Sequence, residues 1–184
     1  MSKFFRMLFG LFHFIGLKLF NSYRFHSRKL SFFSFRSSVI FEKSGQFILN
    51  GKLILSPFSE LRVLGNLTIG NNVFINKYSR IVAHHNVEIG NNVLIAQFVS
   101  ILDHDHAYTL VSSELKMKGY NTEPIKIGNN VWIGDKVTIL KGTTIGDNVI
   151  IGANVLLKGT IESNCMVVYN NNNNNLHIKL TESL

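Results

Sequence analysis

One phrase recurs four times along the chain and strongly constrains its fold. Each copy contains Ile-Gly, an Asn or Asp, Asn, Val, a variable residue and Ile, and the copies occupy residues 67–75, 87–95, 125–133 and 143–151. Successive copies are offset by similar lengths of chain, except that one interval is about twice as long as the others. A common period, with extra residues at defined points, indicates one structural unit that is used repeatedly.

Aliphatic residues return at every sixth position within each copy. The four sets are Ile69, Ile75 and Ile81; Ile89, Ile95 and Ile101; Ile127, Ile133 and Ile139; and Ile145, Ile151 and Leu157. A helix would need apolar residues three and four apart, and a hairpin sheet would need strict alternation. The six-residue period instead predicts a three-sided coil in which each six forms one short strand and one corner. Aliphatic side chains point inward, and Gly, Asn or Asp takes the bends, where positive φ is often required.

The four repeats, the long break after the second one and the histidine at that break resemble the hexapeptide-repeat acyltransferases, and especially the bacterial sugar and polysaccharide O-acetyltransferases. The resemblance covers about residues 45–165. It implies an all-β, left-handed parallel β-helix, a homotrimer whose clefts are shared between neighbouring subunits, and acetyl-CoA as the acyl donor. It implies no metal ion.

The positive charge is concentrated at the N-terminus. The formal net charge is +8, and seven basic residues precede the first acidic residue, Glu42. We therefore divide the 184 residues into a basic amphipathic arm (1–36), a β-helix acyltransferase domain (37–168) and an Asn-rich tail (169–184). The tail contains six consecutive asparagines, which need not fold. The single Cys165 excludes an internal disulfide framework, fits a reducing cytosol and is expected to be a small buried side chain.

The N-terminal arm is apolar as well as basic. Residues 1–20 are rich in Phe and Leu but are interrupted by Arg6, His13 and Lys18, so no uncharged run is long enough for a transmembrane helix. No signal-peptide cleavage site follows them. The pattern favours a helix in a membrane interface, and the basic residues of 21–36 would attract anionic lipids at the inner face of the cytoplasmic membrane. The alternatives are a helix packed on the open end of the solenoid or an oligomer contact. Nucleic acid is disfavoured because nothing else extends the basic patch.

The repeat stops after Ile101-Leu102-Asp103-His104-Asp105-His106 and resumes at Ile125. A break as long as 107–124 in a compact solenoid is usually functional, and we expect it to project as an arm. Imidazole titrates near neutrality and can take a proton from a hydroxyl. In the family, the histidine just before such a loop is the general base, which implies this role for His104. His106 is the rival, Asp103 or Asp105 would orient the ring, and a solvated polar loop is the alternative.

Two residues on the preceding coil are candidates for holding the acceptor. His84 precedes His104 by the same interval that separates Ile69 from Ile89, so the two histidines should lie in adjacent coils. In sugar acetyltransferases of the family an Asn and an acidic residue hold the acceptor. The register implies Asn76 for the first and puts His84 at the second, a departure that affects the choice of acceptor. The alternative for His84 is an exposed turn.

The donor side falls on later coils. Trp132 follows an Asn-Asn corner, from which an aromatic side chain could project and pack against a cofactor. The resemblance implies that backbone N–H groups meet the pantetheine arm at the small residues Gly134 and Ala153. Lys141 and Lys158 would meet the phosphates of CoA through their charge. The family's usual G-N-P-A close is absent.

The expected function is an acyl-CoA-dependent O-acyltransferase, most simply an O-acetyltransferase, acting on a sugar hydroxyl in cell-surface polysaccharide or lipopolysaccharide biosynthesis. A soluble acceptor such as serine, a free sugar or an antibiotic is the alternative among transferases. A metal-dependent hydrase of the same fold would need a different spacing of histidines. A non-catalytic scaffold is a further alternative.

Overall fold

A computed structural model describes residues 3–169 and 175–179. Helix α1 (Lys3–Phe20) comes first, and every later element within these residues is a β-strand. The strands form three flat faces and one projecting hairpin.

The chain winds from face 1 to face 2 to face 3 and back, so that each face collects every third strand of the coil. Face 1 contains β1 (Phe25–Ser27), β4 (Gln46–Leu49), β7 (Asn66–Ile69), β10 (Asn86–Ile89), β15 (Ile125–Ile127), β18 (Thr144–Ile145) and β21 (Thr160–Ile161). Face 2 contains β2 (Phe32–Phe33), β5 (Leu53–Leu55), β8 (Val73–Ile75), β11 (Leu94–Ile95), β16 (Trp132–Ile133), β19 (Val149–Ile151), β22 (Cys165–Tyr169) and β23 (Asn175–Lys179). Face 3 contains β3 (Ser38–Phe41), β6 (Glu60–Val63), β9 (Arg80–Ala83), β12 (Ser100–Leu102), β17 (Thr138–Leu140) and β20 (Leu156–Leu157). The hairpin consists of β13 (His104–Val111) and β14 (Glu114–Thr122).

Neighbouring strands within the faces are parallel, except for the final antiparallel pair of β22 and β23. The predicted register is confirmed, because Ile69, Ile89, Ile127 and Ile145 are aligned partners in face 1. The corresponding residues of faces 2 and 3 are aligned in the same way, and all of them are buried in one core along the solenoid. The six-residue period therefore predicted a parallel β-solenoid correctly.

Asparagine takes the bend between faces 1 and 2, as predicted for Asx residues. Five asparagines there have positive φ: Asn72, Asn92, Asn130, Asn148 and Asn164. Each of the first four donates from its side-chain Nδ2 to Oδ1 of the asparagine in the next coil, at 2.8–3.1 Å. These hydrogen bonds pair the side-chain amides along the corner. Asn suits the position because the left-handed conformation costs it less than it costs most residues.

The first coil begins inside the proposed arm of residues 1–36. Phe25 and Phe33 already belong to the core, and Phe14 of α1 packs edge-on against both rings at 5.7 and 5.2 Å between centroids. Helix α1 thus covers the open end of the solenoid. The arm contains this helix and the first two strands, and the proposed division of the chain at residue 36 stays a prediction.

Glycine allows the close approach of α1. A Cβ on Gly10 would collide with the ring of Phe32, so a larger residue would push the helix away from face 2. The imidazole of His13 adds a hydrogen bond from Nδ1 to the carbonyl of Ser34 at 2.9 Å. The helix also exposes large apolar side chains: Met7, Phe9, Phe12, Leu19 and Phe20.

The break at 107–124 belongs to a hairpin that projects from the solenoid, as expected of an arm, and its pairing shifts register between Ala107 and Tyr108. Its two strands pair antiparallel from His104 opposite Thr122 to Val111 opposite Glu114. The tip residues Ser112 and Ser113 both have positive φ, the conformation of a tight two-residue hairpin turn.

The C-terminal prediction falls largely outside the described residues, since these omit 170–174 and 180–184. Cys165 is buried and unpaired, as expected. Within the described part of the chain, no helix combines the length and apolar character needed to cross a membrane.

Candidate active site

His104 and His84 lie where the chain passes from face 3 to face 1, which we call corner 3/1. They follow the paired strands β12 and β9 in adjacent coils, as their spacing in the sequence predicted. Their imidazole rings are stacked, with centroids 3.7 Å apart and planes 12° from parallel. The alignment of β9 with β12 therefore places a second histidine directly against the candidate base.

Asp103 is fully buried and anchors this corner. Its Oδ1 accepts the backbone N–H of His84 at 2.8 Å, and its Oδ2 accepts those of His85 and Asn86 at 2.7 and 2.9 Å. At the same corner of the preceding coil, the backbone N–H groups donate instead to backbone carbonyls of the following coil. Here the chain leaves the solenoid for the hairpin, so the carboxylate supplies the missing acceptors.

The carboxylate of Asp103 also faces the candidate base. Its Oδ1 lies 3.5 Å from Nδ1 of His104, longer than a good hydrogen bond. Nδ1 is buried and has no hydrogen-bond partner among the described residues. Because Nδ1 points into the protein, Nε2 is the nitrogen left to meet a substrate. The orienting role of Asp103 is thus electrostatic in this geometry and stays a prediction.

Burial is the largest cause that lowers the pKa of His84 below its ordinary value of 6.5. The positive charges of His104 and Lys43 lower this pKa further, while the carboxylates of Asp103 and Glu42 oppose the shift. The environment therefore favours the neutral form of His84.

Tyr120 of β14 covers the two stacked rings. It packs edge-on against His84 at 4.4 Å and against His104 at 5.4 Å between centroids. His106 lies exposed on β13, opposite Tyr120 in the hairpin, with the ring centroids 4.9 Å apart. Both candidate bases therefore contact one tyrosine, but only His104 is stacked on His84.

Lys141 ties the base of the hairpin to the solenoid. Its Nζ lies 3.2 Å from Asp105 Oδ2 and 3.3 Å from Glu123 Oε1. Partial desolvation would raise the pKa of Asp105, but hydrogen bonds from Lys141 and Asn121 outweigh it and lower that pKa. Desolvation would likewise lower the pKa of Lys141, but the two carboxylates outweigh it and raise that pKa. The ammonium already has two anionic partners, which gives it a structural role besides the predicted phosphate contact.

The proposed donor contacts and the acceptor candidate Asn76 lie elsewhere on the solenoid. Asn76, Gly134 and Ala153 follow strands of face 2 at corner 2/3, where the chain passes from face 2 to face 3. Trp132 is exposed on the outer surface of face 2. A Cβ on Gly134 would meet backbone atoms of Ile151 and Ala153 at 2.8 Å, so close coil packing already requires glycine there.

One chain alone does not bring the residues of corner 2/3 close to the histidines of corner 3/1. Corners 2/3 and 3/1 are at opposite ends of the face 3 strands, and a four-residue strand such as β9 spans about 13 Å. Lys158 is exposed and belongs to the same corner as His104, two coils further on. Among the residues whose side chains are described, no group of three or more His, Cys, Asp or Glu is placed to hold a metal ion.

The sequence reasoning missed Tyr120 and the partners of Lys141. The available signal was the break itself, but pairing it as a plain hairpin around Ser112-Ser113 would have set Tyr120 opposite Asp105. A bulge beyond Tyr108 shifts the register by one residue and sets Tyr120 opposite His106 and Asn121 opposite Asp105, which counting does not predict.

Comparison with known proteins identifies the same six-residue repeat. The sequence profile of the family described as bacterial transferase hexapeptide (six repeats) matches residues 124–159. The chain therefore contains a segment that matches the hexapeptide-repeat family. The register of its strands extends the repeat well beyond the matched segment.

Three similar proteins illustrate its relationships. The putative lipopolysaccharide biosynthesis O-acetyl transferase WbbJ of Escherichia coli K12 is 34% identical over 72 residues, covering 35% of this chain and 37% of that protein. A solved galactoside acetyltransferase in complex with coenzyme A is 35% identical, with a TM-score of 0.58, covering 66% of this chain and 60% of that one. A mutant of the N-acyltransferase AntD of Bacillus cereus, in complex with dTDP and coenzyme A, has a TM-score of 0.72 at 16% identity and covers 90% of this chain and 89% of its own. This last likeness concerns the fold alone. The chain spans between 20% and 37% of the length of the curated relatives it matches.

Proposed function

We propose that this protein is an acyl-CoA-dependent O-acyltransferase, most simply an O-acetyltransferase, with His104 as the general base. The observation that carries the proposal is the position of His104 where the solenoid opens into the hairpin. Its Nδ1 is buried beside Asp103, and its ring is held by His84 on one side and Tyr120 on another. A histidine fixed in this way presents one nitrogen, Nε2, in a defined direction.

The reaction balances as a direct transfer. Nε2 of His104 takes the proton of the acceptor hydroxyl as its oxygen attacks the thioester carbonyl carbon, and a tetrahedral intermediate forms. Backbone N–H groups stabilise the oxyanion. The intermediate collapses with cleavage of the carbon–sulfur bond, and the imidazolium returns the proton to the CoA thiolate. The buried carboxylate of Asp103 favours the transient imidazolium.

The proposed donor contacts and the acceptor contact Asn76 call for more than one subunit. Gly134, Ala153 and Asn76 lie at a different corner from His104, and Trp132 lies on an outer face. We therefore propose a homotrimer in which corner 3/1 of one subunit faces corner 2/3 of its neighbour. Acetyl-CoA would lie between them, with its pantetheine arm along Gly134 and Ala153, and with Lys158 and Lys141 as candidates for its phosphates.

For the acceptor we propose a saccharide hydroxyl in the biosynthesis of a cell-surface polysaccharide or lipopolysaccharide. The similarity to the lipopolysaccharide O-acetyl transferase named above and to a galactoside acetyltransferase supports this class. Asn76 and His84 are the proposed acceptor contacts. A small soluble acceptor such as serine, a free sugar or an antibiotic is the alternative.

The N-terminal arm is proposed to associate with the inner face of the cytoplasmic membrane. Two features support this: seven basic residues within 1–36 without an acidic one, and the exposed apolar side chains of α1. The helix also packs on the solenoid. Deleting residues 1–36 would remove core residues such as Phe14, so exposed positions offer the better test. Phe12→Glu combined with Phe20→Glu should abolish sedimentation with anionic vesicles, and equal sedimentation would refute the anchor.

The direct test of the activity is release of free CoA thiol from acetyl-CoA against a panel of acceptors: a galactoside, glucose, sialic acid, serine and chloramphenicol. We expect thiol release that depends on a saccharide and is matched by acetyl ester formed in mass spectrometry. Transfer to serine or chloramphenicol alone would favour the soluble acceptor. No CoA binding in calorimetry would indicate a scaffold.

A further inference from the structure

Three aromatic side chains form a stacked ladder on corner 2/3. The rings of Phe58 and Tyr78 are 5.2 Å apart and 5° from parallel, and those of Tyr78 and Phe98 are 5.0 Å apart and 6° from parallel. The exposed fractions are 48%, 48% and 50%. The ladder therefore presents a strip of aromatic edges that runs along the solenoid.

The backbone under this ladder is unusual for such residues. Phe58, Tyr78 and Phe98 have φ of 63°, 61° and 58°, a left-handed conformation that bulky side chains rarely adopt. Lys136 and Asn154 take the same conformation at the same corner in later coils. Stacking returns about 0.5–1.5 kcal/mol per aromatic pair, so it offsets the local cost without explaining why half of each ring is exposed.

A groove of about 1250 Å³ lies between this ladder and helix α1. Its lining is mostly apolar: Met7, Leu8, Leu11, Phe32, Phe35, Ile54, Pro57, Phe58 and Tyr78, with Ser31, Ser34, Arg36 and Lys77 as the polar members. The volume is larger than that of typical ligand pockets. A hydrophobic chain fits such a lining better than a free sugar does.

The charges of the groove have one sign. Neither Arg36 nor Lys77 forms an ion pair with the described residues, and no carboxylate lines the groove. The guanidinium of Arg36 lies over the rings of Phe35 and Phe58, with its central carbon 5.4 and 5.6 Å from their centroids. Two cations without a carboxylate partner, beside an apolar groove, complement a phosphate attached to a hydrocarbon chain.

The groove is continuous with the proposed acceptor site. Lys77 follows Asn76 directly, and the backbone N–H of Lys77 donates to Oδ1 of Asn76 at 2.8 Å. Along the same corner, the ladder is followed by Gly134 and Ala153, the proposed donor contacts. One corner thus carries an apolar groove with two cations in its lining, then an amide for a sugar and a path for the thioester.

We propose that the groove binds the hydrocarbon chain and phosphate of a lipid-linked saccharide, whose sugar is thereby held at Asn76. This deepens the proposed function and rests on it for the identity of the ligand as the acceptor. The hydrocarbon lies between α1 and the ladder, the phosphate contacts Arg36 and Lys77, and the saccharide continues along the corner.

The binding test uses dodecyl phosphate below its micelle-forming concentration, with dodecanol and inorganic phosphate as partial ligands, in titration calorimetry on the full chain. Wild type should bind dodecyl phosphate more tightly than either partial ligand. Arg36→Gln combined with Lys77→Gln should weaken binding roughly tenfold or more, because two charge-assisted contacts are lost. Lys52→Gln, an exposed lysine that does not line the groove, is the matched control and should change nothing.

The ladder offers a second matched pair. Phe58→Asn removes a wall of the groove, while Phe98→Asn changes a ladder residue that does not line it. Asparagine accepts the left-handed conformation, so both variants should fold. We expect the first to weaken dodecyl phosphate binding roughly three- to tenfold and the second to leave it within twofold, since only Phe58 buries apolar area against the chain.

Binding is separable from catalysis. Tight dodecyl phosphate binding without acyl transfer would refute the proposed function and leave the groove a lipid phosphate site. Acyl transfer to a free sugar without dodecyl phosphate binding would overturn the groove proposal alone.

Two other results would also overturn the groove proposal. In one, the Arg36/Lys77 double variant no longer sediments with phosphatidylglycerol vesicles, yet the wild type does not bind monomeric dodecyl phosphate. That result would show that the two cations contact a bilayer surface. The other is a changed oligomeric mass in Phe58→Asn with unchanged probe binding, which marks contact with a second copy.

Discussion

The imidazole rings of His84 and His104 stack in parallel, 3.7 Å apart, although the two residues belong to different coils of the chain. The stack follows from solenoid geometry, because paired strands bring equivalent residues of adjacent coils face to face. It holds the candidate base rigidly, and it places a second titratable group where its protonation is disfavoured.

Replacing His84 should change the pH dependence of stability. The pKa of His84 is lowered in the folded state relative to 6.5, so the unfolded chain binds its proton more readily. The stability contributed by the neutral form is complete above the unfolded pKa and is lost as pH falls through the folded pKa. In urea unfolding between about pH 7.5 and 5, wild type should lose more unfolding free energy than His84→Gln. His26→Gln, at an exposed histidine on β1, serves as the control. Equal pH slopes for wild type and His84→Gln would contradict the shift.

Asp103→Asn should destabilise the fold. An amide group can accept at only one of its two polar atoms, so in either orientation its NH₂ would face at least one backbone donor that now reaches Oδ1 or Oδ2. We expect a loss of about 2–4 kcal/mol in unfolding free energy, measured by chemical denaturation. Asp135→Asn is the matched control, because that exposed carboxylate accepts one amide, from Gln97. A cost for Asp103→Asn no larger than for Asp135→Asn would show that the corner does not depend on its charge.

Lys141→Gln separates two roles. If its main role is to bridge Asp105 and Glu123, the variant should speed hydrogen exchange in β13 and β14 while changing the apparent affinity for acetyl-CoA less than twofold. Lys158→Gln is the comparison, an exposed cation at the same corner. An affinity loss above fivefold for Lys141→Gln, with unchanged exchange, would instead assign Lys141 to the phosphates.

A site shared between subunits predicts complementation. His104→Ala and Ala153→Trp should each be inactive, the second because the ring fills the proposed pantetheine path. Random mixing of the two variants in trimers should restore about one quarter of the wild-type activity per site, because a quarter of the clefts draw an intact corner from each neighbour. No recovery in co-expressed trimers of verified mass would place both groups in one subunit.

The sequence predicted the column well because its period is strict. Each inward Ile is fixed by its neighbours one coil away, so the register from Ile69 onwards followed from counting alone. The same interval in the sequence also predicted that His84 lies next to His104 in the adjacent coil. Counting failed where contacts do not follow the period: Phe14 closing the open end, Tyr120 crossing from the hairpin, and Lys141 meeting two carboxylates.

The aromatic ladder was missed for a different reason. Sequence rules assign Gly or Asn to positions of positive φ, and the corner between faces 1 and 2 obeys them. Phe58, Tyr78 and Phe98 do not. Their spacing, equal to the interval between the first two repeats, aligns them in successive coils. Only the structure reveals that these residues have positive φ and that their rings stack at a neighbouring corner. Asp103 was singled out for its charge, but its three backbone partners depend on the detour at His84-His85.

The most direct test of the account is the single-turnover rate of acetyl transfer to the best saccharide acceptor in His104→Gln and His106→Gln, with both folds verified by circular dichroism. Loss of a positioned general base should slow His104→Gln by about 10²- to 10⁴-fold and leave His106→Gln within about threefold of wild type. Wild-type turnover in His104→Gln, or the large loss in His106→Gln instead, would contradict the assignment of His104 as the base.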